Sequence, residues 1–280
     1  MDTINPFAPH AWVSSIDWSR PWLASVARIG QPMVAQIAQG LPVHAALNQY
    51  LPAALQEAGL RFVPQEALPD GVAYETFIRE QRCVPTRDHL HDVFNGLIWL
   101  HWPQLKLHLN QLQAQAIARD GVGQRRGPLR DAITVLDENG AIWLAPQPLV
   151  EALRARQWQR LMVELRLMVE LRPLWAQSCL WPVGHALLEK LVQPRKPMTA
   201  HVLCLPWTPD TAAALQASGD AVSSALDAHV ARDMLVCADV LATKPFSPLP
   251  VLGVPGWWPQ NEELSFYDDP LVFRAARPTT

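Results

Sequence analysis

The segment Pro85–Asn110, PTRDHLHDVFNGLIWLHWPQLKLHLN, constrains the fold of this chain more than any other stretch. Its apolar residues recur with the period of an α-helix, and Asp88, His91, Asp92 and Asn95 share one face of that helix at i, i+3, i+4 and i+7. A polar group buried without a partner costs about 1–3 kcal/mol. The segment therefore predicts a helix in which these side chains bind each other, the rest of the protein or a ligand.

Helical patterns dominate the remaining sequence, and two stretches favour strands. The helix of the first segment is predicted to end near Trp102, and Pro103 to begin a second helix. Residues 131–144 predict a β-hairpin, because DENG at 137–140 lies between two apolar runs and fits a turn closed by glycine. Residues 199–205 alternate like a strand. We expect a mostly helical α+β fold with a small antiparallel sheet.

The C-terminal part of the chain is rich in proline. Five prolines fall within the sixteen residues from Lys244 to Pro259, which argues against regular structure because proline lacks the amide hydrogen of a hydrogen-bonded backbone. The many aromatic residues nearby favour an extended C-terminal tail that wraps the body of the protein. No linker rich in Gly or Ser divides the chain, so residues 1–280 are expected to form a single domain.

The hexapeptide LMVELR occurs twice in succession, at 161–166 and 167–172, within a helix predicted from Pro148 to about Leu171. Six residues advance a helix by about 600°, so the two copies face directions about 120° apart. The duplicated residues are therefore expected to be accommodated as a helix extension, a bulge or an altered connection near Pro173.

Charge and composition restrict the class of protein. The net charge of -3 argues against nucleic acid as a partner, because binding phosphates needs a basic surface. No apolar run reaches roughly 18 residues, and the N-terminus lacks the pattern of a secretory signal, so no membrane partner is expected. The four cysteines form no C-x-x-C pair, which favours free thiols and a cytoplasmic location. The oligomeric state is not indicated.

Acid–base catalysis is one function that the residue types favour. His91 would exchange protons, and nearby carboxylates would orient it and raise its basicity. The candidate catalytic residues are His91, Asp92, Asp88 and Asp131. The candidate substrate-binding residues are Arg87, Asn95, Arg130 and Trp257, with the arginines suited to an anionic group. The alternative is structural, with Asp88 and Asp92 at a helix N-terminus and Arg130–Asp131 as a strand-end ion pair.

A divalent metal is the cofactor that the sequence makes conceivable. His185 and Glu189 lie at i and i+4 of a helix predicted at 182–192, so both could reach one ion. His201 would join them if its strand packs against that helix. The three residues are the candidate metal ligands. The alternative is a hydrogen-bonded pair on the helix and a structural histidine in the strand.

Two functions stay open at this stage. The leading hypothesis is metal-assisted hydrolysis at a buried polar site. The alternative is a non-catalytic protein that binds a small molecule or a partner in an aromatic pocket, which the 12 tryptophans and the GVPGWW segment of the tail favour. Whether the protein is an enzyme is therefore undecided, and common nucleotide-binding motifs such as G-x-G-x-x-G are absent from the sequence.

Several long motifs carry a family resemblance. They are VPTRDHLHDVFNGLIWLHWPQLKLHLN, RRGPLRDAITVLDENG, GHALLEKLVQPRKPMTAH, PVLGVPGWWPQN and FYDDPLVFR. Together they resemble the proteobacterial family known as domain of unknown function 3025, from about residue 10 to residue 275. The resemblance implies no particular activity. It implies a single LMVELR-like stretch, so the second copy is expected to be peculiar to this chain.

Overall fold

The computed structural model describes residues 11–121, 127–167, 172–205, 207–218, 222, 224–234 and 238–276. The chain divides into two compact units. The first contains the residues up to Ser19, Leu23–Thr134 and Asp227–Lys244. The second contains Arg20–Trp22, Val135–Leu226 and the residues from Pro245 onward. That the chain forms a single domain stays a prediction.

Helices make up most of the described structure, and the strands are few and short. In chain order the α-helices are α1 Ala24–Ala38, α2 Val43–Asn48, α3 Ala53–Glu57, α4 Tyr74–Gln81, α5 Leu90–His101, α6 Pro103–Asp120, α7 Pro128–Asn139, α8 Gln147–Arg154, α9 Leu165–Leu167, α10 Arg172–Ala176, α11 His185–Lys190, α12 Pro209–Ser218, α13 Ser224–His229 and α14 Ala238–Ala242. The strands are β1 Arg61–Pro64, β2 Cys83–Thr86, β3 Gly140–Leu144, β4 Cys179–Pro182, β5 Thr199–Leu205 and β6 Ser247–Pro250. The predicted mostly helical α+β class is confirmed.

The first unit is built around α5. Phe94 and Leu97 of this helix are fully buried, together with Ile37 of α1 and Leu47 of α2. The predicted helix pair is confirmed, because α5 ends at His101 and Pro103 opens α6. The start differs from the prediction, since residues 83–86 belong to β2 and α5 begins at Leu90.

A two-stranded parallel sheet, β1 with β2, also belongs to the first unit. The sequence did not reveal these strands, because each contains a proline. Asn48 completes the hydrogen bonding of β1: its amide donates to the carbonyl of Phe62 at 2.8 Å and its carbonyl accepts from the Phe62 N–H at 2.9 Å. A side chain of α2 thus replaces a third strand.

The second unit contains a four-stranded sheet in the order β4-β3-β5-β6. The pairs β3–β4 and β5–β6 are antiparallel, and the central pair β3–β5 is parallel. The predicted small sheet around residues 140–144 and 199–205 is therefore present, but it is mixed and not purely antiparallel. All five residues of β3 are buried.

The hairpin predicted at 131–144 is wrong. Residues up to Asn139 form the helix α7, whose buried Ala132, Ile133 and Leu136 follow helical spacing. Gly140 opens β3 and closes no turn. A Cβ atom at this position would lie 2.3 Å from the carbonyl oxygen of Leu136, so glycine is needed here for close backbone packing.

The tail contains one strand that its proline content had seemed to exclude. In β6, Leu249 faces Ala200 of β5, and the next residue, Val251, donates its N–H to the carbonyl of Met198 at 2.9 Å. Since amides alternate in direction along a strand, Pro248 and Pro250 occupy positions whose amides would point away from β5. After β6 the tail forms 3-10 helices at Val251–Gly253, Pro259–Glu262 and Leu264–Asp268, where an extended segment was predicted.

The continuous helix predicted from Pro148 to Leu171 is also wrong. Helix α8 ends at Arg154, and a π-helical turn covers Arg160–Glu164, which includes the first four residues of the first LMVELR copy. Residues 168–171 of the second copy lie outside the described residues. How the duplication is accommodated therefore stays a prediction.

Candidate functional site

The carboxylate of Asp92 binds Arg87 and ties the start of α5 to the end of β2. It accepts hydrogen bonds from the Arg87 backbone N–H at 2.7 Å, from Nε at 3.1 Å and from Nη2 at 3.0 Å. Asp92 is buried, whereas the Arg87 side chain is 60% exposed. This pairing has a clear structural purpose. The catalytic role of Asp92 and the substrate-binding role of Arg87 stay predictions.

Asp88 precedes α5 and lies at the N-terminus of α2. Its Oδ1 accepts a hydrogen bond from the N–H of Val43, the first residue of α2, at 2.8 Å. A carboxylate is favourable there because the helix N-terminus carries partial positive charge. Helix α5 is capped by His89, whose Nδ1 accepts from the His91 N–H at 3.2 Å. The catalytic roles of Asp88 and His91 stay predictions.

Asn95 belongs to a polar cluster with residues of α4 and α6. Its amide donates to the hydroxyl of Tyr74 at 3.2 Å, and its carbonyl accepts from Nζ of Lys106 at 3.0 Å. Lys106 is 5% exposed, and its ammonium lies 5.2 Å from the centre of the Trp99 ring. The cluster joins three helices of the first unit. Lys106 could not be identified from the sequence, because a single lysine in a long amphipathic helix gives no signal of burial.

Arg130 and Asp131 open α7 instead of a hairpin strand, and they do not pair as a strand-end ion pair. Asp131 forms an ion pair with Lys244. Arg130 is 9% exposed and its Nη1 approaches the carbonyl oxygen of Gly121 at 3.5 Å, at the end of α6. Cations are favourable near a helix C-terminus, so this placement stabilises α6. The catalytic role of Asp131 and the substrate-binding role of Arg130 stay predictions.

Two of the three candidate metal ligands lie on segments that meet at Gly140. His201 is the β5 partner of Gly140, and Gly184, just before His185, donates its N–H to the Gly140 carbonyl at 2.8 Å. Nδ1 of His185 lies 3.6 Å from Oδ2 of Asp137. Glu189 is on the same helix, α11, as His185. Across the parts of the chain that the structure describes, no group of three or more His, Cys, Asp or Glu side chains could hold a metal ion.

Trp257 belongs to a tryptophan cluster. Its ring centre lies 6.3 Å from that of the buried Trp22, and Trp258 lies 6.5 Å from the same ring. The guanidinium of Arg20 covers Trp22 at 5.7 Å and Trp258 at 5.5 Å. The predicted aromatic packing of the tail is therefore present, and the substrate-binding role of Trp257 stays a prediction.

The second unit contains a cavity of about 330 Å³ beside β6, here named the Trp158 cavity. It lies between the turn after α8, the start of β5, strand β6 and the C-terminal tail. Its lining residues are Arg156, Trp158, Pro197, Thr199, Pro248, Pro250, Leu271, Val272 and Arg274. The walls are mainly apolar, and two guanidinium groups supply the charge. The tail contributes Leu271, Val272 and Arg274 to the lining, and Trp158 is its aromatic residue. That an aromatic pocket of this protein binds a ligand stays a prediction.

Arg156 reaches the cavity because α8 ends in a left-handed residue. Its φ is 51°, and its N–H donates to the carbonyl of Leu153 at 3.0 Å while Gln157 donates to Ala152 at 2.9 Å. These two bonds form a Schellman motif, which usually places glycine at the left-handed position. An arginine there strains the backbone by about 1 kcal/mol or more.

Trp158 and the tail fix the shape of the cavity. Nε1 of Trp158 donates to the backbone carbonyl of Arg274 at 2.7 Å, and its ring packs edge-on against Phe273 at 6.1 Å. The carboxylate of Asp269 accepts from the N–H of Leu271 at 3.0 Å and binds Lys196 at 3.2 Å.

Buried titratable groups outside this cavity serve the fold. Asp227 accepts hydrogen bonds from the N–H groups of Gln104 at 2.8 Å and Leu105 at 3.0 Å, and so caps α6. Burial raises the pKa of Asp227 to about 6, although both hydrogen bonds lower it. Burial likewise raises the pKa of the Cys204 thiol to about 11, so it is protonated at neutral pH and a poor nucleophile.

The family is established by comparison of the sequence. A model of the family described as "Protein of unknown function (DUF3025)" matches residues 60–277, which is most of the chain. The chain belongs to this family. The match begins at residue 60, later than the resemblance suggested, and it includes both the α5 segment and every residue that lines the Trp158 cavity of this family member. No curated protein and no solved structure shows significant similarity to the chain.

Proposed function

We propose that this protein binds a small molecule in the Trp158 cavity. The observation that carries the proposal is the cavity itself, because about 330 Å³ lies within the range of about 300–1,000 Å³ that is typical of ligand sites. Its lining also has the usual composition of such sites, an apolar and aromatic wall with a few polar groups. The edge of Trp158 is fixed by its bond to the tail, so the wall is formed before a ligand arrives.

Binding is better supported than metal-assisted hydrolysis. In the first unit, Asp92 and Asp88 already accept hydrogen bonds from the protein, and Asp131 binds Lys244. In the second unit, His185 approaches Asp137 at 3.6 Å. These contacts give Asp92, Asp88, Asp131 and His185 partners within the protein, without a substrate. The lining of the Trp158 cavity contains no described acid–base pair, so its geometry favours retention of a ligand over chemistry.

We further propose a cytoplasmic location. The described cysteines Cys83, Cys179 and Cys204 form no disulfide bond, which suits a reducing compartment. Within the described helices, none is both long and apolar enough to cross a membrane.

The test is a methyl-detected NMR titration of the full chain. The probes are benzene derivatives that each carry one neutral, acidic or basic group. We expect at least one of them to shift the methyl signals of Thr199, Leu271 and Val272. Absence of such shifts for every probe at millimolar concentration would remove the proposal.

A matched pair of variants localises the binding. Leu271 and Leu264 are both exposed leucines of the tail, 75% and 49% exposed, but only Leu271 lines the cavity. Leu271→Trp should block the cavity and abolish the shifts, whereas Leu264→Trp should leave them unchanged. Since both side chains are exposed, neither change is expected to disturb folding.

A further inference from the structure

We infer that the ligand of the Trp158 cavity is an organic anion, an apolar body that carries a carboxylate or phosphate group. This inference rests on the proposed function and narrows its substrate class. It follows from the charge of the lining, from the free hydrogen-bonding capacity of two arginines and from the shape of the apolar wall.

The lining carries two positive charges and no described acidic residue. The carboxylates of the neighbouring tail are engaged elsewhere. Asp269 binds Lys196 at 3.2 Å, and Asp268 accepts a hydrogen bond from Gln159 at 3.3 Å. The positive charge of the cavity is therefore not neutralised by these residues, and an anion entering it gains attraction from both guanidinium groups.

Both arginines retain donors for a ligand. Nε of Arg274 donates to the carbonyl of Leu271 at 2.9 Å, which fixes the guanidinium at the rim and leaves its two Nη groups. The guanidinium of Arg156 forms no hydrogen bond or ion pair with residues in the described ranges. A guanidinium presents N–H groups in a planar fork that matches the two oxygens of a carboxylate or phosphate.

The backbone at Arg156 supports a role for its side chain. Glycine would occupy this left-handed position without strain, yet the chain places a long cationic residue there. Strained non-glycine residues cluster at ligand sites, where the strain serves to aim a side chain. Here the left-handed turn leads the chain away from the axis of α8 and brings Arg156 into the cavity lining.

The remaining lining suits a flat apolar body. Three proline rings and the indole of Trp158 offer flat surfaces, and Leu271 and Val272 form an aliphatic rim. Aromatic rings and prolines contribute contact area without losing much side-chain freedom. An amphipathic anion would place its ring against these residues and its acidic group at the arginines.

The test compares anionic probes with neutral partners that share the same aromatic ring. Benzoate is paired with benzamide, and phenyl phosphate with phenol, in NMR titrations of the full chain at low and high salt. We expect each anion to bind about tenfold tighter than its neutral partner, the advantage of roughly one charge-assisted hydrogen bond. Added salt should reduce this advantage. The ratio of the affinities for phenyl phosphate and benzoate then decides between a phosphate and a carboxylate ligand.

Arginine variants assign the effect. Arg156→Met keeps an unbranched apolar side chain and removes the charge, so the anions should lose most of their advantage while the neutral probes bind as before. Arg160→Met is the matched control, because Arg160 is exposed, bonds to Gln157 at 3.2 Å and does not line the cavity. It should change neither class of probe.

The outcomes separate the two proposals. Equal binding of anions and neutral partners at the cavity methyls would overturn the anion assignment and leave small-molecule binding intact. An anion preference that survives Arg156→Met and Arg274→Met together would also overturn it. Failure of every probe to bind would overturn the proposed function and the anion assignment with it.

Discussion

The polar face of α5 and the Trp158 cavity both place polar side chains among apolar residues. They differ in whether the protein itself supplies the hydrogen-bond partners of these side chains. On α5, Asp92 receives three hydrogen bonds from Arg87, and Asn95 is held between Tyr74 and Lys106. In the cavity, the guanidinium of Arg156 has no partner among the described residues. A polar residue within an apolar sequence thus requires hydrogen-bond partners, and other residues of the protein can provide them. Unused hydrogen-bonding capacity beside an open volume is the better indicator of a ligand site.

The first unit also uses distant residues to complete its helices. Asp88 caps α2, 45 residues earlier in sequence, and Asp227 caps α6 from more than 120 residues away. Such contacts are part of the folding of the unit, so their loss should reduce stability. The lining arginines of the second unit should instead affect ligand affinity more than stability. Four changes test this contrast.

The largest expected effect is the pH dependence caused by Asp227. Its pKa is raised to about 6 from the ordinary 3.8, so the folded protein binds its proton more tightly than the unfolded chain. The stability that this group adds is complete below pH 4 and is lost as the pH rises through 6, a change of about 3 kcal/mol. Asp227→Asn cannot titrate and should remove this decline.

Urea unfolding of both proteins at several pH values between 4 and 7 measures the difference. The free energy of unfolding of the natural sequence should fall relative to that of Asp227→Asn as the pH rises. Parallel curves for the two proteins would show that Asp227 titrates normally and that burial does not perturb it.

The second change is Asp92→Ala, which should reduce the free energy of unfolding by about 2 kcal/mol. The buried carboxylate would no longer accept the backbone N–H and guanidinium of Arg87. Asp92→Asn keeps an acceptor oxygen and should cost less. Chemical denaturation gives the stability, and the NMR probes should bind both variants normally. A stable Asp92→Ala protein with altered probe binding would instead favour the predicted site on α5.

The third change, Arg156→Gly, should raise stability by about 0.5 kcal/mol while weakening anion binding. Glycine removes the strain of the left-handed backbone. Its larger backbone entropy in the unfolded chain offsets part of this gain. Arg156→Ala keeps the strain and removes the charge, so it should weaken anions without stabilising the fold. Thermal unfolding and the benzoate titration provide both values. A loss of stability in the glycine variant would show that Arg156 is a structural residue like Asp92.

The smallest effect is expected for Lys196→Met, next in sequence to the lining residue Pro197. The ammonium of Lys196 lowers the pKa of Asp269, and their ion pair is partly exposed. Removing it should raise the pKa of Asp269 toward its ordinary value, with a change in melting temperature too small to detect. Carboxyl-detected NMR titration measures this pKa. A pKa of Asp269 that stays low would assign the effect to the backbone N–H of Leu271 instead.

The parts of the fold that depend on local pattern could be predicted from sequence. Pro103 opens a helix because its missing N–H is harmless in a first turn, and the alternation at 199–205 marks β5. The hairpin at 131–144 failed because DENG has the composition of a turn, whereas Gly140 is required by the nearby carbonyl of Leu136. That requirement is a packing contact of the folded chain, and composition does not reveal it.

The site was harder to predict than the fold. An aromatic pocket closed by the tail was expected, yet its wall is Trp158 and its charges are Arg156 and Arg274. Arg156 gave no signal, because the sequence does not show that its backbone is left-handed or that its side chain lines a cavity and not the exposed surface. The catalytic and metal-binding roles assigned from spacing still await experiment. Spacing places residues on one helix face, but it does not show which of them find hydrogen-bond partners within the protein.

The prolines of β6 have a consequence for behaviour at high concentration. An outer strand with outward amides offers a template on which another copy can add a strand, a common route to fibrils. At positions 248 and 250 that template has no hydrogen to donate. The outer edge of β6 therefore offers only carbonyl groups to a second molecule, so a strand of that molecule cannot pair with β6 through a full set of hydrogen bonds. Replacing both prolines with valine should therefore shorten the lag time of fibril formation.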